Sequence, residues 1–366
     1  MGVLGAMRFA PALLVGFPAG VWADRTRRRP LLAGSQVVSA AALATIPAAA
    51  LLHVLTLGQL FVVAFVAGAA GTVQGIVMTA YVPTIAGRGR LIEANTRIQA
   101  SFTVANLAGP GLAGAAIQLL SAPIAIAFDA ASFVVGAATA AWARVEERLP
   151  VPTGRRGLAD AVEGLSWLWR QPLLRAITLT IVINNGGANI TFAVFVLYFV
   201  TRVGLSPGQL GLVFAVSGFT ALAGARVSRP LVRRGWLGPL MAGGAVMIVV
   251  GQAGVLVAAY APRGAAFGVL LAFGALLGFA LMVYNVNQTS IRQAVTPDGL
   301  LGRVQSGLFV LTAAAQVAGS LAGGAIGQAV GLRAAIGAGV AVCLVSALPS
   351  VFSPLRTLRE VPGVAT

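Results

Sequence analysis

The sequence predicts an all-α membrane protein of two pseudo-symmetric helix bundles, with about 11 transmembrane helices. Three observations predict it. Of 366 residues, 58% are hydrophobic and only 9% charged, too little charge to coat a soluble surface. The apolar residues gather in runs of about 20, the length that crosses a bilayer. The basic residues fall in alternate connections between those runs.

Taken in order, the first five runs cover residues 4–22, 31–52, 57–82, 101–120 and 123–142. Six more cover 174–200, 210–227, 237–260, 267–287, 304–330 and 334–352. Three parts follow: an N-terminal bundle at 1–143, a cytoplasmic linker at 144–172 and a C-terminal bundle at 173–366. The first connection, Gly20 to Arg29, holds Asp24, Arg25, Arg27, Arg28 and Arg29 and is closed by Pro30. It is too short for a domain and too charged for lipid, so it reads as a tight hairpin. The linker places Leu158, Ala161, Val162, Leu165, Leu168 and Trp169 on one helical face, with Trp167 beside them. That pattern predicts an amphipathic helix lying along the inner surface.

All 25 basic residues are arginines. One set of loops carries Arg25, Arg27, Arg28, Arg29, Arg88, Arg90, Arg97, Arg144, Arg148, Arg155, Arg156, Arg170 and Arg175. The same set continues through Arg226, Arg229, Arg233, Arg234, Arg292, Arg303, Arg356 and Arg359, which makes 21. The opposite set has Arg202, Arg263 and Arg333, and Arg8 stands inside a span. Positive charge marks the cytoplasmic side, so the C-terminus is expected there.

Other classes are excluded by what these residues cannot do. A net charge of +16 could suit nucleic acid, but the arginines sit in short loops with no aromatic interleaving. Without lysine no Walker phosphate loop can be written, so no ATPase activity or ATPase partner is implied. Cys343 is alone and His53 has no ligating neighbours, so no metal and no cofactor is expected. No His–carboxylate cluster or nucleophile–base pair supports an enzyme. No removable leader is visible, since the first run leads straight into the arginine turn.

The halves repeat. A shift of 210 residues lays Ala108-Gly109 on Ala318-Gly319, Gly114-Ala115 on Gly324-Ala325, Gln118 on Gln328 and Ile126 on Ile336. The arginine turn recurs from Gly224 to Arg234, with Ser228 where Asp24 would fall. A parallel repeat in an all-helical membrane protein is a transporter architecture, with substrate between two rocking bundles.

These residues resemble the major facilitator superfamily. Gly20-x-x-x-Asp24-Arg25-x-x-Arg28-Arg29 resembles its loop between the second and third helices, and Gly109-Pro110-Gly111-Leu112-Ala113-Gly114 its fifth-helix antiporter motif. The run from Glu163-Gly164-Leu165 to Gln171-Pro172-Leu173-Leu174-Arg175, with Phe128-Asp129-Ala130-Ala131-Ser132-Phe133, is similar to the macrolide-efflux and siderophore-export branch of drug:proton antiporters. Two departures stand out. The fourth-helix arginine of the pattern would fall at Gly71, ahead of Gln74-Gly75, and the arginine turn follows the first span instead of the second. The chain is therefore expected to lack the first helix of a 12-helix plan, inside a longer product or as a remnant.

The resemblance implies that Asp24 is a conformational latch, with Gly20, Arg25, Arg28 and Arg29 around it, docking near the start of the helix at 301–304. The alternative is an acid paired with Arg25 or Arg28. Asp129 is the one acid well inside a span and a candidate for proton coupling, with Arg8 as a candidate partner at similar depth. The alternative there is a peripheral acid reached by water or capped by Ser132. Gly109, Pro110 and Gly114 imitate a dinucleotide fingerprint, with Asp129 twenty residues on, but no strand precedes them. They read as close-packing glycines and a kink, which the antiporter resemblance turns into a seal. Asn184, Asn185, Asn189, Asn285 and Asn287 are amides in apolar runs, suited to a cavity wall or to interhelical bonding. Phe192, Phe195 and Tyr198 nearby suit an amphiphilic, partly aromatic substrate.

The expected function is proton-coupled efflux of hydrophobic or amphiphilic small molecules of drug or macrolide type, by alternating access. A siderophore or secondary-metabolite exporter is the alternative within transport. A non-transporting truncated remnant or scaffold is the alternative from another class. The expected partners are substrate, protons and the lipid bilayer, and the expected location is the bacterial plasma (inner) membrane.

Overall fold

Small residues and uninterrupted apolar runs give helices here, because a bilayer leaves each backbone N–H and C=O only its own helix for a partner. The structure is a computed structural model that describes residues 2–86, 91–142, 157–297 and 300–359, with some side chains inside those helices left out. Among the described residues there is no strand. In chain order the helices are α1 (Gly2–Arg25), α2 (Arg28–Leu51), α3 (Leu57–Ala86), α4 (Leu91–Leu119), α5 (Ala122–Trp142) and α6 (Gly157–Arg170). Then come α7 (Pro172–Tyr198), α8 (Pro207–Arg233), α9 (Leu237–Tyr260), α10 (Arg263–Val295), α11 (Leu301–Ala329), α12 (Leu332–Ser346) and α13 (Leu348–Val351). Nine of the described helical stretches are long and apolar enough to cross a membrane. The other two runs expected from the sequence form α1 and α4, of 24 and 29 residues.

The ends follow local chemistry. Pro172 opens α7, where a missing N–H costs nothing. Ser206 and Gln209 form a reciprocal capping box ahead of α8, Gln209 N donating to Ser206 Oγ at 3.2 Å and Ser206 N to Gln209 Oε1 at 2.8 Å. Between α7 and α8 a π-turn at Phe199–Val203 ends on Gly204, whose φ of +85° a side chain would oppose. His53, exposed in the α2–α3 turn, touches no metal-ligating cluster among the described residues.

The chain forms two compact units. One comprises Val3–Ala105 and Ala115–Arg156; the other comprises Gly157–Thr366 with Asn106–Gly114 and Met1–Gly2. In the first unit α2 packs on α3 and α5. Gln74 Nε2 donates to Ser39 Oγ at 3.1 Å across α3 and α2. In the second unit α8 and α10 run side by side in a register set by small residues. Gly278 lies on the Ser217 carbonyl and Gly274 on Val213, so that any larger side chain would hold the helices apart.

The second unit is filled by two layers. One gathers Phe195, Phe199, Leu210, Leu270 and Ile336, and the other Ile177, Leu237, Met241, Tyr284 and Ile291. Leu355, from the 3₁₀ turn Pro354–Thr357, closes the second layer with no exposure, and Gly238 N donates to Leu358 O at 2.7 Å.

Helix α6, expected from the sequence to be amphipathic, turns its described apolar residues toward protein. Its described residues pack against α11 within the second unit: Leu168 is 1% exposed and clusters with Leu174, Val304 and Leu308. Gly164 brings the two helices together, its Cα facing the Arg303 carbonyl and Val304 N. Protein therefore covers Leu165 and Leu168 of this face.

Candidate functional site

The second unit carries a line of amides at the middle of α7. The stretch Asn184-Asn185-Gly186-Gly187-Ala188-Asn189 combines polar side chains with two glycines, and the glycines decide what the amides can reach. Gly319 of α11 lies on the Gly186 carbonyl, and Gly187 lies against Gly339 and Cys343 of α12. With the backbones this close, Gln316 Nε2 donates to Asn185 Oδ1 at 3.0 Å across α7 and α11. Asn185 Nδ2 donates to the Ile181 carbonyl at 2.8 Å, and Asn189 Nδ2 to the Asn185 carbonyl at 3.0 Å. Asn184 Nδ2 is buried and has no partner among the described residues. An amide without a partner in an apolar setting costs roughly 2–7 kcal/mol on transfer scales. The array is half-buried at the centre of two spanning helices, which makes it a candidate ligand site in this unit.

The other amides separate. Asn285 is exposed. Asn287 is 3% exposed and uses Nδ2 twice, donating to Ser228 Oγ at 2.8 Å and to the Val283 carbonyl at 2.8 Å. It ties α8 to α10 and does not line a cavity, a correction to the expectation for this residue. One turn on, Arg292 is 8% exposed and donates to Gln288 Oε1 at 2.9 Å. The aromatic expectation also divides: Phe192 is 52% exposed, whereas Phe195 and Tyr198 are buried in the bundle core. Phe195 packs at a tilt against Phe199 and Phe214, with ring centres 4.9 and 5.9 Å away.

In the first unit the arginine turn is as tight as its sequence requires, with residues 26–27 joining α1 to α2. Arg29 Nε donates to the Ala140 carbonyl at 3.2 Å and its Nη2 to the Ala141 carbonyl. A motif arginine thus caps the last carbonyls of α5, where positive charge also meets the helix dipole. The side chains of Gly20, Asp24, Arg25 and Pro110 lie outside the described residues, and Arg28 is half-buried at the start of α2. Asp129 and Arg8 are both exposed and form no ion pair with each other. Ser132 Oγ donates to the Asp129 backbone carbonyl at 2.7 Å, so it does not cap the carboxylate. A cavity of about 500 Å³ between α2 and α5 is lined by Val37, Ala40, Ala130 and other apolar residues and offers no polar chemistry.

The motif glycines of α4 do pack closely within their unit. A Cβ at Gly111 would stand 3.2 Å from Ala215 Cβ, and one at Gly114 would stand 2.9 Å from Gly211 Cα of α8. Gly109 is half-buried beside them.

Two helical units, a capped arginine turn and glycine-packed spans are the setting in which relatives are informative. The Major Facilitator Superfamily profile matches residues 1–306. The chain belongs to this superfamily. It is a multi-pass membrane transporter and not an enzyme. The multidrug efflux pump Tap of Mycolicibacterium fortuitum is 28% identical over 320 residues, covering 83% of this chain and 75% of that protein. The uncharacterized MFS-type transporter y4rN of Sinorhizobium fredii is 27% identical, covering 83% and 74%. A bacterial homologue of the human lysosomal transporter Spinster, inward-facing and occupied, aligns with TM-score 0.69 at 15% identity over 96% of this chain and 88% of its own. A bacterial homologue of the iron transporter ferroportin, inward-facing, aligns with TM-score 0.67 at 15% identity over 95% and 89%. At such identities the two structures establish the superfamily fold.

Gln316 was not singled out by sequence, although a signal existed. The 210-residue repeat sets Gln316 on Asn106, so an amide recurs two residues before the paired Ala-Gly of each half. The buried bonds of Thr180 and Tyr284 to Ser350, at 2.8 and 3.0 Å, had no such signal.

Proposed function

We propose that this transporter exports hydrophobic or amphiphilic small molecules in exchange for protons, by alternating access across the bacterial plasma membrane with its C-terminus in the cytoplasm. The observation that carries the reading is the amide array of Asn184, Asn185, Asn189 and Gln316 at mid-span, with one buried donor left over. An amphiphile that accepts one or two hydrogen bonds and is otherwise apolar suits that lining. Similarity to a multidrug efflux pump supports the same direction of transport.

Asp24 would bias the two states by docking on the start of α11. Support comes from α11 itself, whose N-terminus has no side-chain cap among the described residues. A carboxylate there gains about 0.3–1 kcal/mol, enough to tilt a balanced equilibrium by severalfold. Asp129 would carry the exchanged proton, since an acid well inside a span is a functional candidate.

The test is accumulation of a fluorescent lipophilic cation and of a macrolide in cells lacking their own pumps. Expression of the chain should lower accumulation of at least one, and a proton uncoupler should restore it. Unchanged accumulation of both would defeat the efflux reading, and efflux indifferent to the uncoupler would defeat the proton reading.

A further inference from the structure

The three arginines on the arginine-poor side all belong to the second unit, and one of them is held in a way that an orientation signal does not require. Arg333 stands in the first turn of α12. Its Nε donates to Tyr198 Oη at 2.7 Å, and that hydroxyl donates to the Ala259 carbonyl at 2.7 Å. The guanidinium carbon lies 5.0 Å from the centre of the Tyr260 ring and 5.9 Å from that of Tyr198. Tyr198 is 3% exposed, so the anchor is part of the core, whereas Tyr260 is 65% exposed. Both Nη groups are left free among the described residues, and no described carboxylate pairs with them. A surface arginine normally loses rotamer freedom to bind anything; this one is already oriented.

Below it in the membrane the surface is apolar. Gly337 of α12 lies against Leu256 of α9, which sets the two helices side by side under the cluster. On the same face of α12 as Arg333, Ala341 and Leu344 are exposed, and on α9 Val257 is exposed one turn below Tyr260. A fixed guanidinium and a phenol at the rim, with an exposed apolar track directly beneath, match a molecule with an anionic head and hydrocarbon tails.

We propose that Arg333 and Tyr260 bind the phosphodiester of an anionic phospholipid, whose acyl chains run along the α9–α12 face. In the orientation proposed above this lipid belongs to the outer leaflet. The phosphate takes the two free Nη donors and the Tyr260 hydroxyl, while Tyr198 holds the guanidinium in place. A zwitterionic choline lipid offers the same phosphate but brings a cation against Arg333, so it binds less well.

Native mass spectrometry of the full chain in detergent, titrated with phosphatidylglycerol or phosphatidylcholine, tests this. The parent protein should retain one phosphatidylglycerol in preference to phosphatidylcholine. Arg333→Gln should weaken that retention about five- to tenfold, the worth of one charge-assisted contact at a membrane surface. Tyr260→Ala, at an exposed position that leaves the fold intact, should weaken it by a smaller factor, and so should Tyr198→Phe. Retention at the parent level in both Arg333→Gln and Tyr260→Ala would overturn the proposal. So would displacement of the lipid by millimolar inorganic phosphate, because the site would then be one for free phosphate.

Discussion

Gln316→Leu separates a ligand site from a structural tie by magnitude alone. The substitution removes one hydrogen bond, from Gln316 Nε2 to Asn185 Oδ1 at 3.0 Å, and leaves an apolar side chain one bond shorter on α11. Interhelical hydrogen bonds in membranes average about 0.6 kcal/mol and reach about 1.7 kcal/mol. Asn185 retains its bond to Ile181, and the α7–α11 contact retains Gly186 on Gly319, so the loss should stay within that range. A protein several kcal/mol above its unfolding threshold survives it, and the amount in the membrane should not change. If the array binds substrate, the same change removes one donor that the ligand shares and leaves Asn185 Oδ1 unmatched. That should raise the apparent KM about tenfold, as for a ligand hydrogen bond worth about 1.4 kcal/mol. The assay is initial-rate dye efflux at matched expression, with thermal unfolding of the purified variant alongside. Efflux within twofold of the parent, together with a small loss of stability, would refute the site and leave an interhelical tie.

Four further outcomes are expected. Asp24→Asn should insert normally yet transport more slowly, whereas Arg25→Ala should be milder; efflux at the parent rate in the Asn variant would remove the latch. Arg29→Ala should lower thermal stability by about 1–3 kcal/mol through two lost carbonyl bonds on α5, read by thermal unfolding in detergent. Gly164→Leu should push α6 off α11, so that a cysteine placed at Leu168 in a Cys343→Ser background becomes open to a maleimide that the parent arrangement excludes. Asp129→Asn should abolish dependence of transport on the proton gradient, while Arg8→Ala should leave that dependence in place because the two side chains form no ion pair; an unchanged pH profile in Asp129→Asn would assign that acid no part in coupling.

What could be read from the sequence is what a bilayer imposes one helix at a time. Run length gave the spans, arginine placement gave the alternation of loops, and small residues marked the close contacts, as Gly278 on Ser217 illustrates. Partnership was harder, because it joins residues far apart in the chain. Asn287 and Asn185 are both amides in apolar helices, and nothing local tells a tie from a site. The distinction rests on Ser228, 59 residues from Asn287, and on Gln316, 131 residues from Asn185. Arg333 read as a plain loop arginine for the same reason: its tyrosine lies 135 residues away. The amphipathic pattern of α6 named a face that must be covered, but lipid and α11 satisfy that demand equally well in sequence terms.

The repeat shows how two copies of one motif come to differ. In the second copy Ser228 takes the position of Asp24, is fully buried, and accepts a hydrogen bond from Asn287 of its own bundle. A carboxylate in that fully buried place would carry a desolvation cost of several kcal/mol. Serine meets the same amide without that cost, so the second turn is tied within its own unit. The first turn is the one that keeps an acid, and its Arg29 reaches the end of α5. If Asp24 is the latch proposed above, the repeat supplies no second one, because Ser228 carries no charge with which to favour the other arrangement.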